Sequence, residues 1–215
     1  MSERFVRQLE ELHVELITMG SLCEKAISLS AKAIQGEGGM TLIGKIFETE
    51  KEIDAQEREI ENLCMKLLLH EHPVAGDLRS ISAALKMISD MERIGDQAAD
   101  IADIVKVTSL DVPDASIRLK DMAKATASMV TKCIDAYVKQ DLNLAREVID
   151  SDDIVDDLFD EVKDEILQGM RKGITTDVQS LDYLMIAKYY ERIGDHATNI
   201  AEWVVYSING HHKGE

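Results

Sequence analysis

An acidic motif that recurs in the two halves of the chain places the strongest constraint on its fold. Residues 92–103 read ERIGDQAADIAD and residues 191–202 read ERIGDHATNIAE, and these two segments are identical at eight of twelve positions. A shorter acidic motif recurs upstream, as Glu50, Ile53 and Asp54 and again as Asp152, Val155 and Asp156. Because both motifs appear in the same order in each half, the sequence predicts two copies of one supersecondary unit.

Composition and periodicity indicate that this unit is helical. Aromatic residues make up 4% of the 215 residues and proline occurs twice, which is too few for a sheet protein rich in turns. Apolar residues recur three and four positions apart, as in Leu9, Leu12 and Leu16, a spacing typical of amphipathic helices. We therefore predict an all-α fold of six long helices, forming two duplicated antiparallel three-helix bundles over residues 1–109 and 114–210.

The strong negative charge of the chain restricts its partners. Asp and Glu number 41 against 24 Lys and Arg, which gives a formal net charge of -17. Such a surface repels the phosphates of nucleic acids and of anionic membranes, so we expect neither as a direct partner. The three cysteines, Cys23, Cys64 and Cys133, form no CxxC pair, which argues against a disulfide framework and against a thiolate zinc site.

The amino-terminal sequence and the distribution of apolar residues predict a soluble cytoplasmic protein. Charged residues occur every few positions in MSERFVRQLEELHVEL, where a signal peptide needs an unbroken apolar run. No window of the sequence approaches the ~20 apolar residues of a membrane span. We therefore expect no direct insertion into a membrane.

The longer motif places several carboxylates on one face of a helix. At about 100° per residue, Glu92, Asp96, Asp100 and Asp103 project within a sector of about 80°. One interpretation is that they form the solvated face of an amphipathic helix. However, carboxylates crowded on a partly packed face repel one another unless they are protonated or share a cation. Carboxylates paired across two helices are hard oxygen ligands that suit magnesium, manganese, calcium, or iron in a bridged cluster, whereas their chemistry does not favour zinc.

Two glycines lie inside the predicted helices that carry this motif. Gly95 and Gly194 occupy positions where glycine costs about 1 kcal/mol relative to alanine. Either the close approach of a neighbouring helix or ligand, or a plain packing notch, would explain them, and the sequence leaves both explanations open.

Three features of the chain carry a family resemblance, namely the two three-helix repeats, the HPVAGDLR segment between the second and third predicted helices, and the doubled ERIGD motif. In these features the chain resembles the PhoU family of phosphate-uptake regulators. The resemblance covers essentially the full chain. It implies a cytoplasmic protein that represses the phosphate-starvation response and restrains phosphate uptake. It also implies three partners, namely a high-affinity phosphate ABC transporter, a phosphate-sensing histidine kinase and a second copy of the chain in a homodimer.

The resemblance further implies multinuclear iron or zinc clusters held by the E(D)xxxD motifs. Carried over to this sequence, the metal ligands are Glu50, Asp54, Glu92 and Asp96 in the first bundle and Asp152, Asp156, Glu191 and Asp195 in the second. Asp100 and Asn199 are additional candidates at matching positions of the two halves. Asn199 has an amide where the matching Asp100 of the first half has a carboxylate. We therefore expect the two sites to differ in nuclearity or occupancy.

The residues leave two other functions open. A carboxylate-bridged multinuclear cluster with an open coordination position would make the protein a metalloenzyme. Solvated acidic faces would instead make it a metal-free helical scaffold. The sequence contains no candidate nucleophile–base pair, no GxxxxGK[ST] loop and no nucleotide fingerprint, which favours a regulator over an enzyme.

Overall fold

The computed structural model describes residues 3–70, 73–108 and 116–211, and within these ranges every regular element is an α-helix. The helices, in chain order, are α1 (Glu3–Ile34), α2 (Gly39–His70), α3 (Ala75–Val107), α4 (Ser116–Lys139), α5 (Leu142–Asp150), α6 (Asp152–Arg171) and α7 (Asp177–Asn209). The predicted all-α fold is confirmed. The predicted boundary between the two repeats, at residues 110–113, lies outside the described residues.

One predicted long helix is divided in two. The sequence predicts continuous helix through this region, whereas α5 ends at Asp150 and α6 begins at Asp152. The intervening Ser151 still donates its backbone N–H to the carbonyl of Glu147 at 3.0 Å, so the chain stays close to helical through the break. Asp152 and Asp153 occupy the first turn of α6, where negative charge is favoured. The side chain of Ser151 caps no backbone N–H of α6, because its hydroxyl donates to the carbonyl of Glu147 at 2.7 Å.

Each long helix buries one face and exposes the other. In α1 the buried face contains Leu12, Leu16, Met19 and Cys23, at the spacing of three and four that the sequence predicts. The charged residues lie mainly on the opposite faces of the helices. Among the described helices, none is both long enough and apolar enough to cross a membrane.

Four helices form the centre of the molecule and the others cover its flanks. α1 packs on α3, α3 on α7, α7 on α4 and α4 on α1, which closes a four-helix ring. α2 packs against α1 and α3 to complete the first bundle, and α5 and α6 pack against α4 and α7 to complete the second. The two repeated bundles are therefore confirmed, and they share one apolar core. The α3–α7 seam and the α1–α4 seam lie on opposite sides of the ring.

Two buried tyrosines join the bundles through the centre of the ring. Tyr190 Oη of α7 lies 2.9 Å from Ser30 Oγ of α1. Tyr137 of α4 donates its hydroxyl to the carbonyl of Ser80 in α3 at 2.9 Å. Burial raises the pKa of both tyrosines, so both hydroxyls stay neutral. Ser30→Ala would leave the buried hydroxyl of Tyr190 unsatisfied, at a cost of about 1–3 kcal/mol.

Candidate metal centre

The four ligands predicted for the first bundle lie where α2 and α3 cross. This first acidic cluster consists of Glu50 and Asp54 of α2 and Glu92 and Asp96 of α3. A Cβ atom on Gly95 would lie 3.0 Å from Cδ1 of Ile53, so the glycine lets the two helices approach closely. Of the two explanations that the sequence leaves open for this glycine, the structure supports close packing of a neighbouring helix.

The carboxylates of the first acidic cluster act on one another across the two helices. Burial raises the pKa of Glu50, and the charges of Asp54 and Asp96 raise it further. Burial and the charge of Asp96 also raise the pKa of Glu92, against the opposing effect of Arg93. The crossing therefore brings carboxylates of both helices into one electrostatic unit, as a shared cation site requires.

Arginines partly neutralise this cluster. Arg93 places Nη1 3.0 Å from Oδ2 of Asp96 and Nε 3.5 Å from Oε2 of Glu92. Arg58 lies 3.6 Å from Oδ2 of Asp54. The side chains of Arg93 and Arg58 are 60% and 70% exposed, so these ion pairs are weak and a cation from solvent can replace them at low cost.

Glu57 joins the first acidic cluster although the sequence analysis did not name it. Burial raises its pKa, followed by the charges of Glu61 and Asp54, while a hydrogen bond with Ser89 of α3 opposes the rise. Glu57 follows Asp54 by three positions and so projects from the same face of α2. Helical spacing predicts Glu57 on this face, but the repeat does not, because the second half has no acid at the matching position.

The ligands predicted for the second bundle meet at the equivalent crossing of α6 and α7. This second acidic cluster consists of Asp152 and Asp156 of α6 and Glu191 and Asp195 of α7. A Cβ atom on Gly194 would lie 3.2 Å from Cγ1 of Val155. Burial raises the pKa of Asp152, and the charges of Asp195 and Asp156 raise it further. The structure therefore brings these carboxylates together as well.

A lysine, rather than an arginine, partly neutralises the second acidic cluster. Lys188 places Nζ 2.5 Å from Oε2 of Glu191. Lys163 and Lys188 also lie 4.9 Å and 5.6 Å from the ring centre of Phe159, within cation–π distance. The ammonium group of Lys188 thus already lies beside the carboxylates of the second acidic cluster.

Asp100 and Asn199, the two additional candidates, lie towards the α3–α7 seam. Burial and the charges of Asp96 and Asp103 raise the pKa of Asp100, while Arg192 of α7 opposes the rise. Asp100 therefore extends the first acidic cluster towards the seam. Asn199 instead donates to Oδ1 of Asp90 at 3.3 Å, and the same carboxylate oxygen lies 2.8 Å from Nδ1 of His196.

The chemistry of both clusters fits a hard cation, although their side chains are not gathered around one. Carboxylate oxygens are the ligands that magnesium, manganese, calcium and iron share. In the described ranges, no three His, Cys, Asp or Glu side chains are placed so that they could hold one metal ion. Ion pairs with Arg93 and Lys188 hold carboxylates in the two clusters.

The sequence matches known proteins along nearly its whole length. The family model described as the PhoU domain matches residues 16–105 and 119–204. A relative from Clostridium acetobutylicum, named phosphate-specific transport system accessory protein PhoU homolog, is 36% identical over 208 residues, which cover 96% of this chain and 94% of the relative. A relative of the same name from Pseudomonas aeruginosa is 31% identical and covers 98% of this chain and 87% of its own.

Solved structures match the fold equally well. The crystal structure of PhoU from Pseudomonas aeruginosa superposes with a TM-score of 0.86 at 30% identity, covering 96% of this chain and 100% of that one. The phosphate transport system regulatory protein PhoU from Streptococcus pneumoniae also gives a TM-score of 0.86, at 25% identity, with 98% and 100% covered. These relatives are, by name, accessory and regulatory proteins of phosphate transport.

Proposed function

The chain belongs to the PhoU family, and we propose on this basis that it is a non-catalytic regulator attached to a phosphate transport system. The observation that carries the proposal is the end-to-end match to a relative named as an accessory protein of phosphate-specific transport, over 96% of this chain. Both acidic clusters fall inside the residues that the family model matches, so the match includes the candidate site.

In the proposed role, the protein works in the cytoplasm as a homodimer and restrains both phosphate uptake and the phosphate-starvation response. It connects the cytoplasmic side of a phosphate ABC transporter to a sensor histidine kinase. The names of the relatives support the transporter as a partner, and the family resemblance supports the kinase. Two bundles joined side by side offer separate surfaces for the two partners.

The proposed regulator also binds metal at its two acidic clusters. A bound cation would supply positive charge that the carboxylates of two helices share. Glu50, Asp54, Glu92 and Asp96 would hold it in the first cluster, and Asp152, Asp156, Glu191 and Asp195 in the second. Burial raises the pKa of Glu50 and Asp152, and repulsion from neighbouring carboxylates raises it further. Loading relieves that repulsion and so strengthens each helix crossing. Occupancy would thereby alter the surface offered to partners.

Direct binding to the two partners tests the adaptor role. The full chain is titrated into the purified transporter in lipid nanodiscs and, separately, into the cytoplasmic part of the kinase. We expect saturable binding to each partner, and light scattering of the chain alone is expected to give the mass of a dimer. Binding to neither partner would contradict the adaptor role, whatever the metal content.

Elemental analysis of protein purified without chelator tests the metal site. The parent is compared with a variant that carries Asp54→Asn, Asp96→Asn, Asp156→Asn and Asp195→Asn. A matched control carries Glu48→Gln, Glu59→Gln, Asp157→Asn and Asp164→Asn, which removes the same charge from exposed helix positions. We expect bound iron, zinc or manganese in the parent and the control, and none in the cluster variant.

One observation favours a second candidate, a metal-free scaffold. Arg93 and Lys188 already pair with carboxylates of the two clusters, so each cluster is partly neutral without a metal. Absence of metal from the parent, together with unchanged partner binding by the cluster variant, would establish this candidate. Metal-dependent turnover of a phosphate ester, lost in the cluster variant, would instead indicate a metalloenzyme.

A further inference from the structure

A lysine-lined recess lies on the α1–α4 seam, on the side of the four-helix ring opposite the α3–α7 seam. It runs between residues 24–37, at the end of α1 and its following turn, and residues 120–132 of α4. Its volume is about 530 Å³, within the range of roughly 300–1,000 Å³ typical of small-molecule sites. No residue that lines this recess belongs to either acidic cluster.

The charge of the recess is opposite to that of the chain as a whole. Its lining contains four lysines, Lys32, Lys120, Lys124 and Lys132, and two glutamates, Glu24 and Glu37. The whole chain, by comparison, carries a net charge of -17. A local excess of positive charge in a concave surface concentrates anions there, and the acidic remainder of the molecule repels them from other surfaces.

Three of the four lysines have no counter-ion. Lys132 places Nζ 2.5 Å from Oε1 of Glu147, and Lys120 donates only to a neutral amide oxygen. Lys32 on α1 and Lys124 on α4 form no ion pair with any described residue. Their charges are therefore available to a ligand, one from each wall of the recess.

The remaining lining suits a ligand that has both an apolar part and acceptor oxygens. Ala31, Ala123 and Ala127 provide small apolar side chains, which leave space between the two helices. The exposed hydroxyls of Ser28 and Ser128 can donate hydrogen bonds to acceptor oxygens. A flat or compact organic group fits against the alanines while its anionic groups lie near the lysines.

We propose that this recess binds a small phosphorylated molecule that carries at least two linked phosphate groups, such as a nucleoside diphosphate. Lys32 and Lys124 contact the phosphates from opposite walls, because two ammonium groups on separate helices suit an extended anion better than a single compact one. The serine hydroxyls donate to the remaining phosphate oxygens. The site depends on neither the metal nor the adaptor role, and it gives the protein an anionic ligand on the side away from the α3–α7 seam.

Isothermal titration of the full chain tests the proposal with three probes, ADP, pyrophosphate and inorganic phosphate. EDTA is present throughout, so that no divalent cation can bridge a phosphate to the acidic clusters. We expect ADP and pyrophosphate to bind, with a Kd that rises with ionic strength. We expect the Kd of inorganic phosphate to be at least about tenfold higher. Tight binding of pyrophosphate alone would assign the site to the phosphate chain, and tighter binding of ADP would assign it to nucleotides.

A pair of charge-matched variants locates the site. Lys32→Gln with Lys124→Gln is expected to raise the Kd for ADP by about tenfold or more. The control pair Lys45→Gln with Lys172→Gln removes the same charge from exposed positions elsewhere and should change the Kd less than about twofold. Protection of Lys32 and Lys124 from amine labelling by ADP, measured in the wild type, gives a second test that does not depend on variant folding.

Four results would overturn the proposal. They are no binding of ADP or pyrophosphate at about 1 mM, equal losses in the two variant pairs, inorganic phosphate binding as tightly as pyrophosphate, and no labelling protection at the two lysines. The metal analysis and the partner titrations do not use this recess, so failure here leaves the proposed regulatory function unaffected.

Discussion

The two acidic clusters occupy equivalent helix crossings of the duplicated fold but are neutralised differently. In each crossing a glycine lets the helices approach, Gly95 against α2 and Gly194 against α6. The first cluster continues along α2 with Glu57, whereas the matching position of α6 holds Phe159. The two halves therefore share the packing of the crossing and differ in its charge. The same helix packing thus accommodates different numbers of charged side chains at this site.

The facing helices show the same difference. Ser89 of α3 lies near Glu57 and opposes the rise of its pKa, and the matching position of α7 holds Lys188, which pairs with Glu191. The first cluster thus has one more carboxylate than the second, and it has the hydroxyl of Ser89 where the second has the ammonium group of Lys188. We expect the first cluster to depend more on a cation from solvent and the second to be more stable without one.

The largest expected effect comes from blocking a crossing. Gly95→Leu would force a long side chain against Ile53 and lower the free energy of unfolding by about 3 kcal/mol, and Gly194→Leu should do the same against Val155. Urea denaturation measures both. Gly44→Leu is the control, because a Cβ atom there meets nothing within 4 Å and the helix gains propensity. A loss in the control as large as at the crossings would contradict this assignment.

Metal loading should distinguish the two clusters next. With saturating manganese or iron, we expect the free energy of unfolding to rise by about 2–3 kcal/mol over the EDTA-treated protein. Asp54→Asn with Asp96→Asn should remove most of this gain, and Asp156→Asn with Asp195→Asn a smaller part. Calorimetric Tm values with and without EDTA measure it. Equal losses in the two double variants would show that the clusters are equivalent despite their different neighbours.

Exchanging the charged neighbours should partly convert one cluster into the other. Ser89→Lys should stabilise the metal-free protein by about 0.5 kcal/mol and weaken metal binding at the first cluster. Lys188→Ser should have the opposite effects at the second cluster, because it removes the partner of Glu191. The measurements are Tm in EDTA and metal titration. Opposite signs in the two variants support the comparison, and equal signs would refute it.

The smallest expected effect is a dependence on pH in the metal-free protein. Folding raises the pKa of Glu50 and Asp152 above their ordinary values of 4.5 and 3.8. The folded state then binds more protons than the unfolded state just above those values, so this contribution to stability is complete at lower pH and is lost as pH rises through the raised pKa.

Glu50→Gln with Asp152→Asn removes that contribution. In EDTA, the fall in Tm as the pH rises from about 4 to about 6 should be smaller in this double variant than in the wild type, by about 1–2 °C. Glu48→Gln with Asp157→Asn, at exposed positions, should retain the wild-type dependence. A steeper fall in the cluster variant than in the wild type would reverse the assigned sign.

The candidate site was predictable as far as single helices determine it. Helical periodicity places Glu92 and Asp96 on one face, and the repeat identifies their counterparts. Neither argument indicates that Asn199 turns to Asp90 of another helix. The break at Ser151 was missed for a different reason, because the apolar pattern continues across it and its side chain caps no helix start.

The sequence by itself determined that the chain is helical, that it is duplicated and that each half carries acidic stripes, because helix formation and amphipathicity depend on neighbours a few positions apart. Only the tertiary structure decided which stripes face each other and which cations they meet. The same is true of Lys32 and Lys124, which are 92 positions apart in the chain yet line one recess. Such pairings follow from the order in which whole helices pack, and that order depends on contacts between residues distant in sequence.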